Sequence, residues 1–199
     1  IPPIQIIVVL TLIVANVTAV YQSNVKRMLA YSSIAHIGYV LLAFISGGDK
    51  VEGVFFYYLL SYSTASLVAF GILTVLENST GSTSHESLYG LFHNNPFAAI
   101  CMTVALLSLA GIPPLAGFFA KYMILGRAID AGHIYLTILA ILTSLVGVYY
   151  YFRPIIAMFT QPSEVATELF SPIQKIVIGL LMLVTLFAGL LPDVLINLL

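Results

Sequence analysis

The chain has 199 residues, of which 60% are hydrophobic and only 8% charged, and its net charge is -1 at neutral pH. A mean hydropathy of +1.06 excludes a water-soluble domain of ordinary composition. The few Lys and Arg exclude the clustered basic face that a nucleic acid requires, and the sole cysteine, Cys101, excludes an intrachain disulfide and a cysteine-based metal site.

Polar interruptions leave six hydrophobic segments, residues 4–21, 28–46, 54–76, 96–131, 134–159 and 172–191. Five have the length of one helical crossing of about 30 Å at about 1.5 Å per residue. Their apolar residues do not alternate with polar ones as barrel strands would. The expected fold class is therefore all-α, a polytopic transmembrane helix bundle, with residues 1–199 forming a single transmembrane domain. The opening at Ile1, without Met or a basic n-region, reads as a piece of a longer protein and not as a signal peptide.

The second segment carries His36, with Ser32, Ser33 and Tyr39 three or four residues away and so on its helical face. An imidazole that titrates near pH 6.5 and both donates and accepts suits a proton relay, but it equally suits an interhelical hydrogen bond. The third segment has Tyr57, Tyr58, Ser61, Tyr62, Ser63, Thr64 and Ser66 and no ionisable acid or base. Such hydroxyls join helices by hydrogen bonds or line a water path. The polar stretch 77–95 reads as a mobile connector.

The fourth segment is longer than one straight crossing needs, and Gly111, Pro113 and Pro114 lie near its middle. Proline removes a donor and clashes with the preceding turn, so this element predicts one helix broken in two, with two short crossings joined by a tight turn as the alternative. Lys121 follows the break, ten residues before Ala131 and so about 15 Å from the interface. An ammonium there costs on the order of 3 kcal/mol even on the lenient insertion scale, and such groups usually face a bundle interior or a wet path. Desolvation penalises the charged form, which suits a proton-exchanging lysine. The competing reading is a permanently charged lysine held by a carboxylate or by carbonyls freed at the break. Arg127 with Asp130 reads as a helix-end pair, and Tyr149, Tyr150, Tyr151 and Arg153 as an interfacial anchor.

Six crossings put Lys26, Arg27, Arg153 and Lys175 on one side and Lys50 and Arg127 on the other, which makes the first side cytoplasmic. His85, His93 and His133 match no metal spacing. No phosphate loop, nucleophile elbow or ligand cluster occurs, so any redox chemistry belongs to a partner.

Three blocks, residues 24–39 (NVKRMLAYSSIAHIGY), 108–121 (SLAGIPPLAGFFAK) and 147–153 (GVYYYFR), resemble the antiporter-like membrane subunits of respiratory complex I, NADH-quinone oxidoreductase. The hydroxyls in the third segment, where sibling subunits carry histidines and a lysine, make the subunit N branch the better match. The resemblance implies the second of two inverted five-helix repeats, each with a broken helix, followed by a final helix. It implies a proton-translocating role in which Lys121 exchanges protons in a half-channel, His36 belongs to the central hydrophilic axis, and Lys26 and Arg27 form a basic pair at a helix entrance. Ser32, Ser33, Tyr39, Ser61 and Thr64 are candidate water-path hydroxyls. With an ionisable carrier missing from the third segment, water must bridge a longer gap. No cofactor is expected in this chain. NADH, FMN, iron-sulfur clusters and quinone are expected in partner subunits, which include antiporter-like and small helical membrane subunits of a hetero-oligomer, with lipid around them. The bacterial inner membrane is the expected location, with an organellar membrane the alternative. A cation/proton antiporter or membrane-hydrogenase subunit, and a scaffold that moves no ions, are the competing functions.

Overall fold

The computed structural model describes residues 2–48, 51–160, 170–192 and 195. Lys50 lies outside the described residues. Among them are eight α-helices: α1 (Pro2–Val20), α2 (Val25–Ser46), α3 (Val51–Thr80), α4 (Leu91–Asn94), α5 (Pro96–Ala110), α6 (Ala116–Asp130), α7 (Ile134–Thr160) and α8 (Pro172–Leu190). The described β structure is one isolated bridge, Asn24 to Ser84. α1, α2, α3, α7 and α8 are long and apolar enough to cross a membrane.

Local chemistry sets the boundaries. Asn24 caps α2 by accepting the Arg27 N–H at 3.0 Å, which brings Lys26 and Arg27 into the first turn and starts the helix ahead of its apolar run. α3 continues past its apolar run to Glu77, which pairs with Lys26 at 2.6 Å. Asn95 caps α5, with Pro96 in the first turn where its missing donor costs nothing. Ser171 and Gln174 form a reciprocal capping box on α8.

α5 and α6 have 15 residues each, and together they make one crossing. α5 packs in a core cluster with the start of α2 (Met28, Leu29) and the end of α3 (Leu73, Leu76). α6 packs in a second cluster with the end of α2 (Leu42, Ile45) and the start of α3 (Val54, Tyr57). The chain therefore passes from one half of the bundle to the other through residues 111–115, as a single broken helix requires and a returning hairpin forbids. Gly111 ends α5 in the left-handed region at φ 85° and closes the last turn onto Leu107 O and Ser108 O. Pro113 and Pro114, joined by a cis bond, have no N–H with which to continue it.

Two expectations are corrected. The stretch 77–95 is a folded strap: Thr83, Leu88, Leu91 and Asn95 are buried, and Val25 N–H donates to Thr83 O at 2.8 Å. Its apolar anchors are sparse enough to be hidden by polar neighbours. Arg127 and Asp130 form no ion pair; among the described residues the salt bridge is Lys26 to Glu77, and the Arg127 guanidinium reaches instead toward Gly48.

Within the strap, burial first and the Arg153 guanidinium second hold the His85 imidazole below its ordinary range, opposed by the Gln22 backbone. Neither ring nitrogen completes a hydrogen bond. An unfolded His85 binds protons near pH 6.5, above the folded value, so the strap is fully stable above that pH and weakens as pH falls through the window below it. Protection factors of the amides across 81–95, with the base-catalysed intrinsic exchange rate divided out, should fall on acidification from about pH 7.5 to about pH 5.5, and His85→Leu should flatten that dependence.

Gly117 and Gly189 permit the closest approaches at the break. A Cβ on Gly117 would lie 1.8 Å from Ser108 O, and one on Gly189 2.4 Å from Pro114 O. Both neighbours are backbone and cannot swing aside, so Gly117→Ala should destabilise the subunit by about 1–3 kcal/mol, measured as a lower thermal midpoint of the detergent-purified protein.

Candidate functional site

α5 stops in mid-bundle, and its last carbonyls have no following turn to accept from. Lys121, about one and a half turns into α6, supplies the missing donor. Its Nζ donates to Leu109 O at 2.9 Å and Ala110 O at 3.0 Å, and to Ser144 Oγ on α7 at 3.3 Å. Three donors meet three acceptors, and the cation sits at the negative end of the α5 dipole. The residue is 8% exposed. The Tyr39 ring lies beneath Nζ, 5.4 Å to its centroid, close enough for cation–π attraction. Tyr39 is fixed there by donating to Ala140 O at 2.8 Å. No carboxylate joins the site among the described residues, so of the two static partners foreseen, the carbonyls of the break are the ones present.

Beside Lys121, a cavity lined by His36, Tyr58, Ser61, Ser108 and Gly117 encloses about 10 Å³ open to the centre of a water molecule, room for about one. Ser61 Oγ, on its wall, is buried without a hydrogen-bond partner. The cavity thus lies between the two intramembrane ionisable groups and is lined by hydroxyls of two helices, α3 and α5.

His36 is bonded on both ring nitrogens, Nδ1 to the Tyr58 hydroxyl at 2.6 Å and Nε2 to the Tyr151 hydroxyl at 3.3 Å. Tyr151 in turn donates to Ser32 Oγ at 2.7 Å. Next to it Tyr150 donates to Asn16 Oδ1 at 3.1 Å, and Asn16 Nδ2 donates to Leu12 O at 2.8 Å. A run of five polar side chains therefore extends from the cavity toward α1, each buried and each bonded.

The sequence-derived candidates separate on this geometry. Lys121, His36 and Ser61 line the cavity, Tyr39 lies under Lys121 by its ring, Ser32 is two hydrogen bonds away through Tyr151 and His36, and Gly111, Pro113 and Pro114 form the break that Lys121 caps. Ser33 bonds back to Leu29 O at 2.9 Å and Thr64 to Leu60 O at 2.9 Å, each satisfying itself on its own helix; Thr64 also accepts from Thr185 at 3.1 Å. Neither lines the cavity. The interfacial-anchor reading fails for Tyr150 and Tyr151, which are 2% and 1% exposed, whereas Tyr149 points outward at 60%: at about 100° per residue, three consecutive tyrosines cannot share one face. Asn16, Ser108 and Ser144 were not singled out from sequence. For Ser144 a signal was available, because Ala140, Ser144, Gly147 and Tyr151 recur at three or four residues and mark the inner face of α7.

Residues 2–147 match the family model described as NADH:quinone oxidoreductase/Mrp antiporter, TM. The chain belongs to this family. It is 41% identical over 191 residues to subunit N of NADH-quinone oxidoreductase from Cytophaga hutchinsonii, an alignment covering 94% of this chain and 41% of that protein. It therefore spans about two fifths of the length of that relative. A structure of respiratory complex I from Thermus thermophilus with bound aureothin matches at TM-score 0.88 and 36% identity, covering 98% of this chain and 45% of the other. A membrane-bound sulfane sulfur reductase, from an archaeal respiratory membrane complex, matches at TM-score 0.90 and 27% identity, covering 99% and 40%.

The orphaned Ser61 hydroxyl and the polar walls fit the cavity for one water with two or more protein partners. A high-resolution map of the assembled protein should show density within hydrogen-bond distance of Ser61 Oγ, and Ser61→Leu should remove that density by filling the space.

Proposed function

We propose that the full-length protein is a proton-translocating membrane subunit of an NADH-quinone oxidoreductase of the bacterial inner membrane, and that this chain is its second inverted repeat with a final helix. Oxidation of NADH and reduction of quinone, with the FMN and iron-sulfur clusters they need, take place in partner subunits of the hetero-oligomer. The observation that carries the reading is the position of Lys121: its ammonium is held by the carbonyls of a broken helix and opens onto a polar cavity that His36 shares. The high identity to subunit N over nearly the whole chain directs the choice within the family, ahead of a cation/proton antiporter or membrane-hydrogenase subunit.

Lys121 works as the proton store. Protonated, it caps α5. On release of a proton to the cavity, the neutral amine has one donor fewer and no charge for the carbonyls to attract, so the cap loosens and the affinity for the next proton depends on how the surrounding charges shift. Moving one charge through 100 mV is worth about 2.3 kcal/mol, the same as a pKa change of less than about two units.

A second reading, the scaffold that moves no ions, draws on the same three hydrogen bonds taken as permanent. Arginine separates the two, because a guanidinium keeps the charge and the donors and does not deprotonate in a protein. In the complete complex in proteoliposomes, Lys121→Arg should assemble and cap, yet lower proton uptake per NADH oxidised by roughly 10²-fold or more, the ordinary scale for loss of a positioned acid–base group. Lys121→Ala should do the same with a less stable subunit. Full pumping by the assembled Lys121→Arg complex would establish the scaffold.

A further inference from the structure

The polar run beyond the cavity has a fixed direction, and the fixed point is a backbone carbonyl. Asn16 Nδ2 is committed to Leu12 O at 2.8 Å, so its Oδ1 faces Tyr150 and can only accept. The Tyr150 proton is therefore spent on Asn16 at 3.1 Å. The Tyr150 ring packs beside Tyr151, centroids 4.6 Å apart. Tyr151 donates to Ser32 at 2.7 Å, so its proton too points away from His36. At 3.3 Å from Nε2, Tyr151 must then accept, which places a hydrogen on His36 Nε2. In a neutral imidazole Nδ1 is then the acceptor, and the Tyr58 hydroxyl donates to it at 2.6 Å. The opposite polarity strips the Tyr58 proton of its protein acceptor beside the cavity, and in a low-dielectric interior an unmade bond of a buried phenol is costly.

From this chain of commitments we infer that Tyr58 is the proton-transfer residue between the Lys121 cavity and His36, and that the run from Tyr151 to Asn16 is a positioning anchor that makes His36 a terminal proton store. The inference rests on the proton-translocating reading above. The Tyr58 oxygen keeps a lone pair for the cavity it lines. A proton leaving Lys121 Nζ through one water reaches that lone pair while the Tyr58 hydroxyl proton passes to His36 Nδ1. The products are a neutral amine, an unchanged water, an unchanged tyrosine and an imidazolium with hydrogens on both nitrogens. Beyond His36 the proton stops, because a run whose every hydrogen already points toward an amide oxygen cannot accept at Asn16 and pass it on. The stored proton returns through Tyr58. A phenol thus fills the step for which the apolar part of α3, residues 54–76, has no acidic or basic side chain.

The test uses the assembled complex in proteoliposomes, with Lys121→Arg, Tyr58→Phe and Tyr151→Phe prepared side by side. Tyr58→Phe keeps the ring and removes the lone pair and the proton, and should slow proton uptake at least roughly 10²-fold. Tyr151→Phe frees His36 Nε2 but leaves Nδ1 and Tyr58 in place, and should slow uptake by roughly tenfold, clearly less than Tyr58→Phe. If Lys121→Arg abolishes pumping while Tyr58→Phe pumps normally, the inference about Tyr58 fails and the proton-translocating reading stands; if Lys121→Arg pumps normally, the reading itself fails. Equal loss in both tyrosine variants would overturn the terminal-store assignment in favour of a through-going wire. Isotope-edited infrared spectroscopy of labelled histidine in the wild-type complex gives a readout that needs no variant to assemble: a neutral His36 with hydrogen on Nε2 is expected, and hydrogen on Nδ1 would overturn the direction.

Discussion

The structure depends on two carbonyls that a broken helix leaves without donors. Leu109 O and Ala110 O are exposed where Gly111 and the two prolines stop α5, and in a low-dielectric interior an unmet carbonyl costs on the order of a kcal/mol or more. Lys121 meets both at once. The cost of the break and the cost of a buried ammonium are each reduced by the other, so neither feature can be removed alone without exposing the other. Gly117 and Gly189 bring backbone against backbone at the same point, the Gly117 N–H donates across the break to Ser108 Oγ at 3.1 Å, and the lysine supplies the donors for the two carbonyls.

The rest of the interior follows from the solvent. In hydrocarbon a polar side chain must find a partner inside the protein, and this bundle satisfies its hydroxyls in two ways. Ser33, Thr64 and Thr143 turn back to carbonyls of their own helices. Tyr39, Tyr57, Tyr58, Tyr150 and Tyr151, with longer reach, bond across helices. Tyrosine thus does the joining here. A phenol can donate and accept in one position without carrying charge, so a protein with no acid or base between residues 54 and 76 of α3 still keeps a polar interior there. Ser61 has neither kind of partner, and it lies where the two ionisable groups approach the same cavity.

Much of this was legible in the residues. Composition gave the membrane, Gly-Ile-Pro-Pro gave the break, and the isolation of Lys121 in an apolar run marked it at once. The partner of Lys121 was open between a carboxylate and freed carbonyls, because sequence shows that a break exists but not where its carbonyls point. The strap at 77–95 was misread because two leucines suffice to bury a segment that is otherwise polar. Three adjacent tyrosines beside Arg153 look like an interfacial belt, and only their rotation about α7 shows that Tyr149 points outward while Tyr150 and Tyr151 point into the bundle, to Asn16 and His36. Asn16 gave no signal, since a single amide in an apolar helix has many bland uses, and its value here comes from Tyr150, 134 residues away in sequence.

The central claim is that Lys121 alternates between capping α5 and releasing its proton to the cavity. The most direct measurement is a pair of high-resolution structures of the complete complex, one at rest and one frozen during turnover with NADH and quinone. The account predicts the capped arrangement at rest and, during turnover, a second population in which Nζ has left Leu109 O and Ala110 O for the cavity shared with His36. Lysine bonded to both carbonyls in every population, at rest and in turnover, would contradict it.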